Sequence, residues 1–93
     1  MPSVNQQIST IFYNKAKLLE NKGEKYKFRV ISYLKAAQAV AELEVGVDEI
    51  YKRSWLVGLQ KIKGIGNRLA HDIENELNKL KIINKPVHNK INK

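Results

Sequence analysis

Apolar residues in this chain recur at the three- and four-residue spacing of a single helix face, and the two-residue alternation of a strand is nearly absent. The first stripe runs Val4, Ile8, Ile11, Phe12, Ala16 and Leu19, with Ser3 as an N-cap and Gly23 to stop the helix. After the polar break at Asn21, Lys22, Gly23 and Glu24, a second helix is predicted over about Lys25–Glu44. Tyr26, Val30, Tyr33, Ala37, Val40 and Ala41 form its stripe, and Phe28, Ile31 and Leu34 widen that stripe so that cover is expected on more than one side. Gly46 interrupts the pattern. Asp48 is placed to cap a short turn through Glu49, Ile50 and Tyr51, and Ser54 to cap a helix over Trp55–Ile62. A last helix is predicted over Asn67–Leu80, with Leu69, Ala70, Ile73, Leu77 and Leu80 on its inner face. The expected fold is all-α: a small bundle of four principal helices over residues 1–83, then a mobile basic tail over residues 84–93 that holds Pro86, three lysines and no acid.

A chain of 93 residues makes one domain, and at this size about 60 to 65% of the unfolded surface is buried on folding. With 43% hydrophobic and 28% charged residues it is expected to fold alone. The absence of cysteine removes disulfides, cysteine-ligated zinc and thiol nucleophiles, and fits a reducing compartment. The most apolar stretches, Ala36–Ala41 and Trp55–Leu59, fall far short of the roughly 20 residues that span a bilayer. No membrane association and no secretion are expected, which leaves a prokaryotic or archaeal cytoplasm, or a nucleus. The net charge of +8 favours phosphate-rich partners such as nucleic acid. Arg29, Arg53 and Arg68 are the only arginines among 17 basic residues, so these three are candidates for bidentate phosphate contacts.

Between the last two predicted helices lies Leu59-Gln60-Lys61-Ile62-Lys63-Gly64-Ile65-Gly66-Asn67-Arg68-Leu69-Ala70. Two glycines around one apolar residue call for a tight turn with Ile65 directed into the core. The first amides of the following helix lack intrahelical partners and sit at the positive end of its dipole, which makes a phosphate site flanked by Lys63 and Arg68. A dinucleotide fingerprint does not fit, because no strand precedes the glycines and the third glycine is missing. The stretch resembles the helix-hairpin-helix motif, which implies binding to DNA backbone without reading of base sequence. Candidate DNA-binding residues are Lys61, Lys63, Gly64, Gly66, Asn67 and Arg68.

The resemblance extends upstream. Leu18 to Val40, including Tyr33-Leu34-Lys35-Ala36-Ala37, is similar to the second helical block of the N-terminal domain of family X DNA polymerases, the family of DNA polymerase beta, and the similarity covers about Val4–Leu80. No space for a polymerase catalytic domain follows, so the chain is not expected to be a polymerase itself. The resemblance implies a pocket for a 5'-phosphate in gapped DNA, lined at the positions of Arg29, Tyr33 and Arg68. It also implies a monovalent cation on the backbone carbonyls of Gln60, Ile62 and Ile65. In the DNA polymerase beta branch a lysine four residues beyond the position of Arg68 removes a deoxyribose phosphate through an imine. Asp72 stands there, and a carboxylate cannot form an imine.

From spacing alone, Arg29 and Tyr33 share a helix face, where a guanidinium and a phenol can grip one phosphate; Tyr33 also lies on the apolar stripe, which suits a core tyrosine equally. Lys35, with Lys15, Lys22, Lys25 and Lys27, extends a phosphate track or simply solvates a surface. Trp55 suits core packing better than base stacking, and His71 and Asp72 suit a solvated face better than a metal site. Three functions follow. The first is a non-enzymatic, largely sequence-independent DNA-binding module of replication or repair, in the role of a small accessory to a separate DNA polymerase, with no cofactor. The others are a lyase with a relocated nucleophile such as Lys35 or Lys61, and a protein-interaction domain that has lost DNA binding.

Overall fold

A computed structural model describes residues 3–84. Helix α1 (Val4–Glu20) begins in a capping box, where the Ser3 hydroxyl accepts the Gln6 amide at 3.1 Å and Gln6 Oε1 accepts the Ser3 amide at 3.0 Å. Its stripe buries Ile8, Phe12 and Ala16 completely. A 3-10 turn (Glu24–Tyr26) follows Gly23, whose φ of +124° only glycine adopts readily. Helix α2 (Lys27–Ala41) then runs back along α1. Alanines 16, 36 and 37 are all buried, and the Ser9 hydroxyl donates to the Ala37 carbonyl at 2.7 Å across the pair.

Helix α2 starts two residues later and ends three residues earlier than the sequence predicts. Its early end has a long-range cause. Asn5, buried on α1, donates from Nδ2 to the Val45 carbonyl at 3.0 Å and accepts the Val47 amide on Oδ1 at 2.8 Å. One side chain thus ties down the backbone where α2 gives way to α3 (Val47–Gln60). Gly46, rather than Asp48, stands at the N-cap of α3, and Asp48 and Glu49 lie in the first turn, where carboxylates favour the positive helix end. The break expected at Ser54 falls on Trp55, whose backbone (φ 59°, ψ −148°) leaves the helix within α3. Helix α4 (Asn67–Lys79) closes the bundle against α3 with Ala70, Ile73 and Leu77 fully buried.

Among the described residues the architecture is four helices without strands, as the periodicity implies. One core joins both helix pairs, from Ile8 and Phe12 through Val40 and Leu59 to Ile73 and Leu77. Each such side chain contributes about 1.5 to 3 kcal/mol by leaving water. Two expectations about packing fail. Cover reaches only the Tyr33, Ala36, Ala37 and Val40 side of α2, so Phe28 (76% exposed), Ile31 and Leu34 remain at the surface. Trp55 is 62% exposed and is not a core residue. The tail expected over residues 84–93 lies, apart from Asn84, outside the described residues.

Candidate nucleic-acid interface

The hairpin uses its glycines for two different reasons. Gly64 has φ +91°, a conformation that an L side chain strains to adopt. Gly66 has φ −93° and ψ −166°, open to any residue, and a Cβ added there would meet nothing within 4 Å. Its missing side chain therefore leaves the approach to α4 clear. Between them Ile65 is 3% exposed, and its amide donates to the Ile62 carbonyl at 2.9 Å. Helix α4 has no side-chain N-cap and no acid in its first turn, so its first amides face outward at a positive helix end.

At this helix end lies a pocket of about 240 Å³ lined by Arg29, Ser32, Tyr33, Gly66, Asn67, Arg68 and Leu69. The fold thereby brings five of the sequence candidates together: Arg29 and Tyr33 from α2, and Gly66, Asn67 and Arg68 from the hairpin. Arg29 and Arg68 both line this pocket beside the first turn of α4, which is a donor set suited to a phosphate. The Asn67 side chain is held by Gln60, whose Nε2 donates to Asn67 Oδ1 at 3.0 Å, so the strut also fixes the hairpin mouth.

Tyr33 is 6% exposed, yet its rim completes the pocket. Its ring sits edge-on to Phe12 at 5.4 Å, and its hydroxyl donates to Asp72 Oδ2 at 2.7 Å. Burial first, and the Asp72 carboxylate second, push the Tyr33 phenol above its usual range, while Lys15 and Arg29 oppose the rise. The core reading of Tyr33 holds for its ring, and its hydroxyl is already engaged as a hydrogen-bond donor to Asp72. Asp72 is correspondingly more than a solvated residue. It stands one helical turn beyond Arg68 and places a negative charge behind the start of α4. Lys15 on α1 approaches the same corner, 5.9 Å from the Tyr33 ring centre, and pairs with the buried Glu76 at 3.2 Å.

The remaining candidates lie elsewhere. Lys61 and Lys63 line a separate groove with Arg53, and Lys35 is exposed on α2 about 160° around the helix from Tyr33, from the 100° step per residue. Sequence reasoning also missed Ser32, whose spacing from Arg29 was a usable signal, and Glu74, for which there was none. Glu74 is buried, accepts the Tyr51 hydroxyl at 2.5 Å and lies 3.7 Å from His71 Nδ1. Burial and then this carboxylate raise the Tyr51 phenol well above its ordinary value.

Of the three carbonyls on which the resemblance implies a monovalent cation, those of Gln60, Ile62 and Ile65, one is engaged within the hairpin itself. The Ile62 oxygen already accepts the Ile65 amide, and its second lone pair remains compatible with a metal. No cluster of three or more His, Asp or Glu side chains able to hold a metal occurs among the described residues. No helix among them is long and apolar enough to cross a membrane.

A glycine turn between two packed helices, with Arg68 in the first turn of the second and Arg29 of α2 lining the same pocket, defines a helical hairpin module. The chain belongs to the helix-hairpin-helix domain family, whose model matches residues 3–82. Membership implies nucleic-acid binding in general terms. No match is found among curated proteins or among solved structures.

Proposed function

We propose that this protein is a non-enzymatic, sequence-independent DNA-binding module of replication or repair that holds a backbone phosphate, preferentially a 5'-phosphate at an end or gap, and serves a separate DNA polymerase as an accessory inside the cell. The observation that carries this is the Arg29–Arg68 pocket at the acid-free start of α4. The resemblance of residues 18–40 and of the hairpin to the N-terminal domain of family X polymerases supports the gap preference and the polymerase partnership. Arg29 and Arg68 would grip the phosphate oxygens, the Asn67 and Arg68 amides would donate to them, and Tyr33 would shape the wall. At the resemblance's nucleophile position, Asp72 is engaged by Tyr33, and Lys35 and Lys61 lie outside the pocket, which favours binding without lyase chemistry.

Fluorescence anisotropy with gapped DNA, with and without its 5'-phosphate, tests the binding. Affinity should fall with salt at a log-log slope of about −0.9 per duplex phosphate neutralised, and the phosphorylated gap should bind more tightly. Arg68→Ala should weaken binding without lowering thermal stability. Equal affinity for both gaps would reduce the protein to a general backbone binder, and salt-independent binding would refute the phosphate mechanism. Borohydride trapping on an incised abasic substrate should give no adduct; a robust adduct would restore the lyase.

A further inference from the structure

The chain's single tryptophan is displayed rather than packed. Trp55 sits at φ 59° and ψ −148°, a backbone region that is essentially glycine's, and its side chain is 62% exposed. A strained backbone that contributes little core packing is not explained by folding. The ring is braced all the same: it meets Tyr51 edge-on at 5.6 Å, and the Tyr51 hydroxyl donates to the buried Glu74 on α4. Val57, two residues on, is also 62% exposed.

The surroundings are cationic. Lys52 and Arg53 precede Trp55 with only Ser54 between. Ser54 and Gly58, which bracket it in the chain, line a groove of about 690 Å³ together with Arg53, Lys61 and Lys63. The one acid in that lining, Glu42, is engaged by Gln38 Nε2 at 3.1 Å. Lys63 adjoins Gly64 of the hairpin. Gln60, which braces the pocket through Asn67, lies five residues beyond Trp55, or about 8 Å along a helix axis. That is about two nucleotides of one strand at B-form rise.

We infer that Trp55 is a stacking platform for an unpaired base of single-stranded nucleic acid, with Arg53, Lys61 and Lys63 holding the flanking phosphates. Trp55 is not itself in the groove lining but is the chain neighbour of Ser54, which is, and an exposed aromatic ring together with a basic groove is the combination that binds single strands with little sequence preference. The inference rests on the DNA-binding function proposed above and adds a contact outside the Arg29–Arg68 pocket.

Because Trp55 is the sole tryptophan, its fluorescence reports this ring directly. Titration with a short oligothymidylate should quench it, with the same midpoint as anisotropy of the labelled strand, whereas blunt duplex should leave it unchanged. Trp55→Ala should weaken single-strand binding about 5- to 150-fold, the equivalent of one stacked base. Trp55→Phe should retain most of the affinity. Trp55→Gly suits the backbone, so it should lose single-strand affinity without losing melting temperature, which a merely structural tryptophan would not do. Single-strand binding by anisotropy without quenching, or unchanged affinity in Trp55→Ala, overturns the inference and leaves the phosphate pocket standing. Quenching by an acidic peptide but not by DNA overturns it in favour of a protein partner. No binding to any DNA at low salt defeats both this inference and the proposed function.

Discussion

Asp72→Asn isolates the charge behind the phosphate pocket. The substitution is nearly isosteric, and the asparagine oxygen can still accept the Tyr33 hydroxyl that reaches Asp72 at 2.7 Å. Residues four apart on a helix have Cβ atoms about 5 to 6 Å apart, so a phosphate held by Arg68 would lie on the order of 9 Å from the carboxylate. At that distance two unit charges repel by about 0.5 kcal/mol in water and about 2 kcal/mol at an effective dielectric of 20. Removing the charge should therefore tighten binding of 5'-phosphorylated gapped DNA about 2- to 30-fold, less at high salt. Loss of a charged acceptor should cost stability about 1 kcal/mol, since Asp72 is only half-buried. The Tyr33 phenol should titrate closer to its ordinary value, without reaching it, because burial is the larger cause of its rise. Anisotropy at several salt concentrations and an ultraviolet titration of the tyrosines read both effects. Unchanged or weaker DNA affinity, in a variant whose tyrosine titration has shifted, would show that no phosphate binds near Arg68.

The two hairpin glycines should separate folding from binding. Gly64→Ala should lose about 1 to 2 kcal/mol in thermal unfolding because of its positive φ, whereas Gly66→Ala should leave stability within about 0.5 kcal/mol and weaken DNA binding; equal melting losses in the two variants would refute the distinction. Asn5→Ala should cost about 2 to 4 kcal/mol in denaturant unfolding, since it strands the Val45 carbonyl and the Val47 amide, and a loss below about 1 kcal/mol would show that water replaces the clamp. Both shifted tyrosines have folded pKa values above the unfolded value of 10.0, so the folded state holds its protons more tightly. Their contribution is complete below pH 10.0 and is lost as pH rises above it. Tyr51→Phe should flatten that alkaline loss in pH-dependent melts, and an unchanged profile would remove Tyr51 as its cause.

Local pattern was enough to reveal the helices and the hairpin. Ser3 with Gln6, the stripe through Ile8, Phe12 and Ala16, and Gly-Ile-Gly between two apolar faces all act within a few residues, where 3.6-residue periodicity and capping chemistry operate. The spacing of Arg29 and Tyr33, and the place of Arg68 after the glycines, likewise identified residues that the fold gathers into one pocket. Tertiary structure alone decided what those residues do to one another. Asn5 meets Val45 and Val47 about forty positions away, the Tyr33 hydroxyl donates a hydrogen bond to Asp72 thirty-nine positions away, and Glu74 is buried beneath Tyr51. Trp55 looked like core by composition and stands outside because the backbone breaks beneath it, while α2 looked covered and is open because α1 reaches only one of its sides. Periodicity records which face of an element is apolar; which partner arrives at that face, and which polar groups are then forced to pair, depends on how the helices cross in three dimensions.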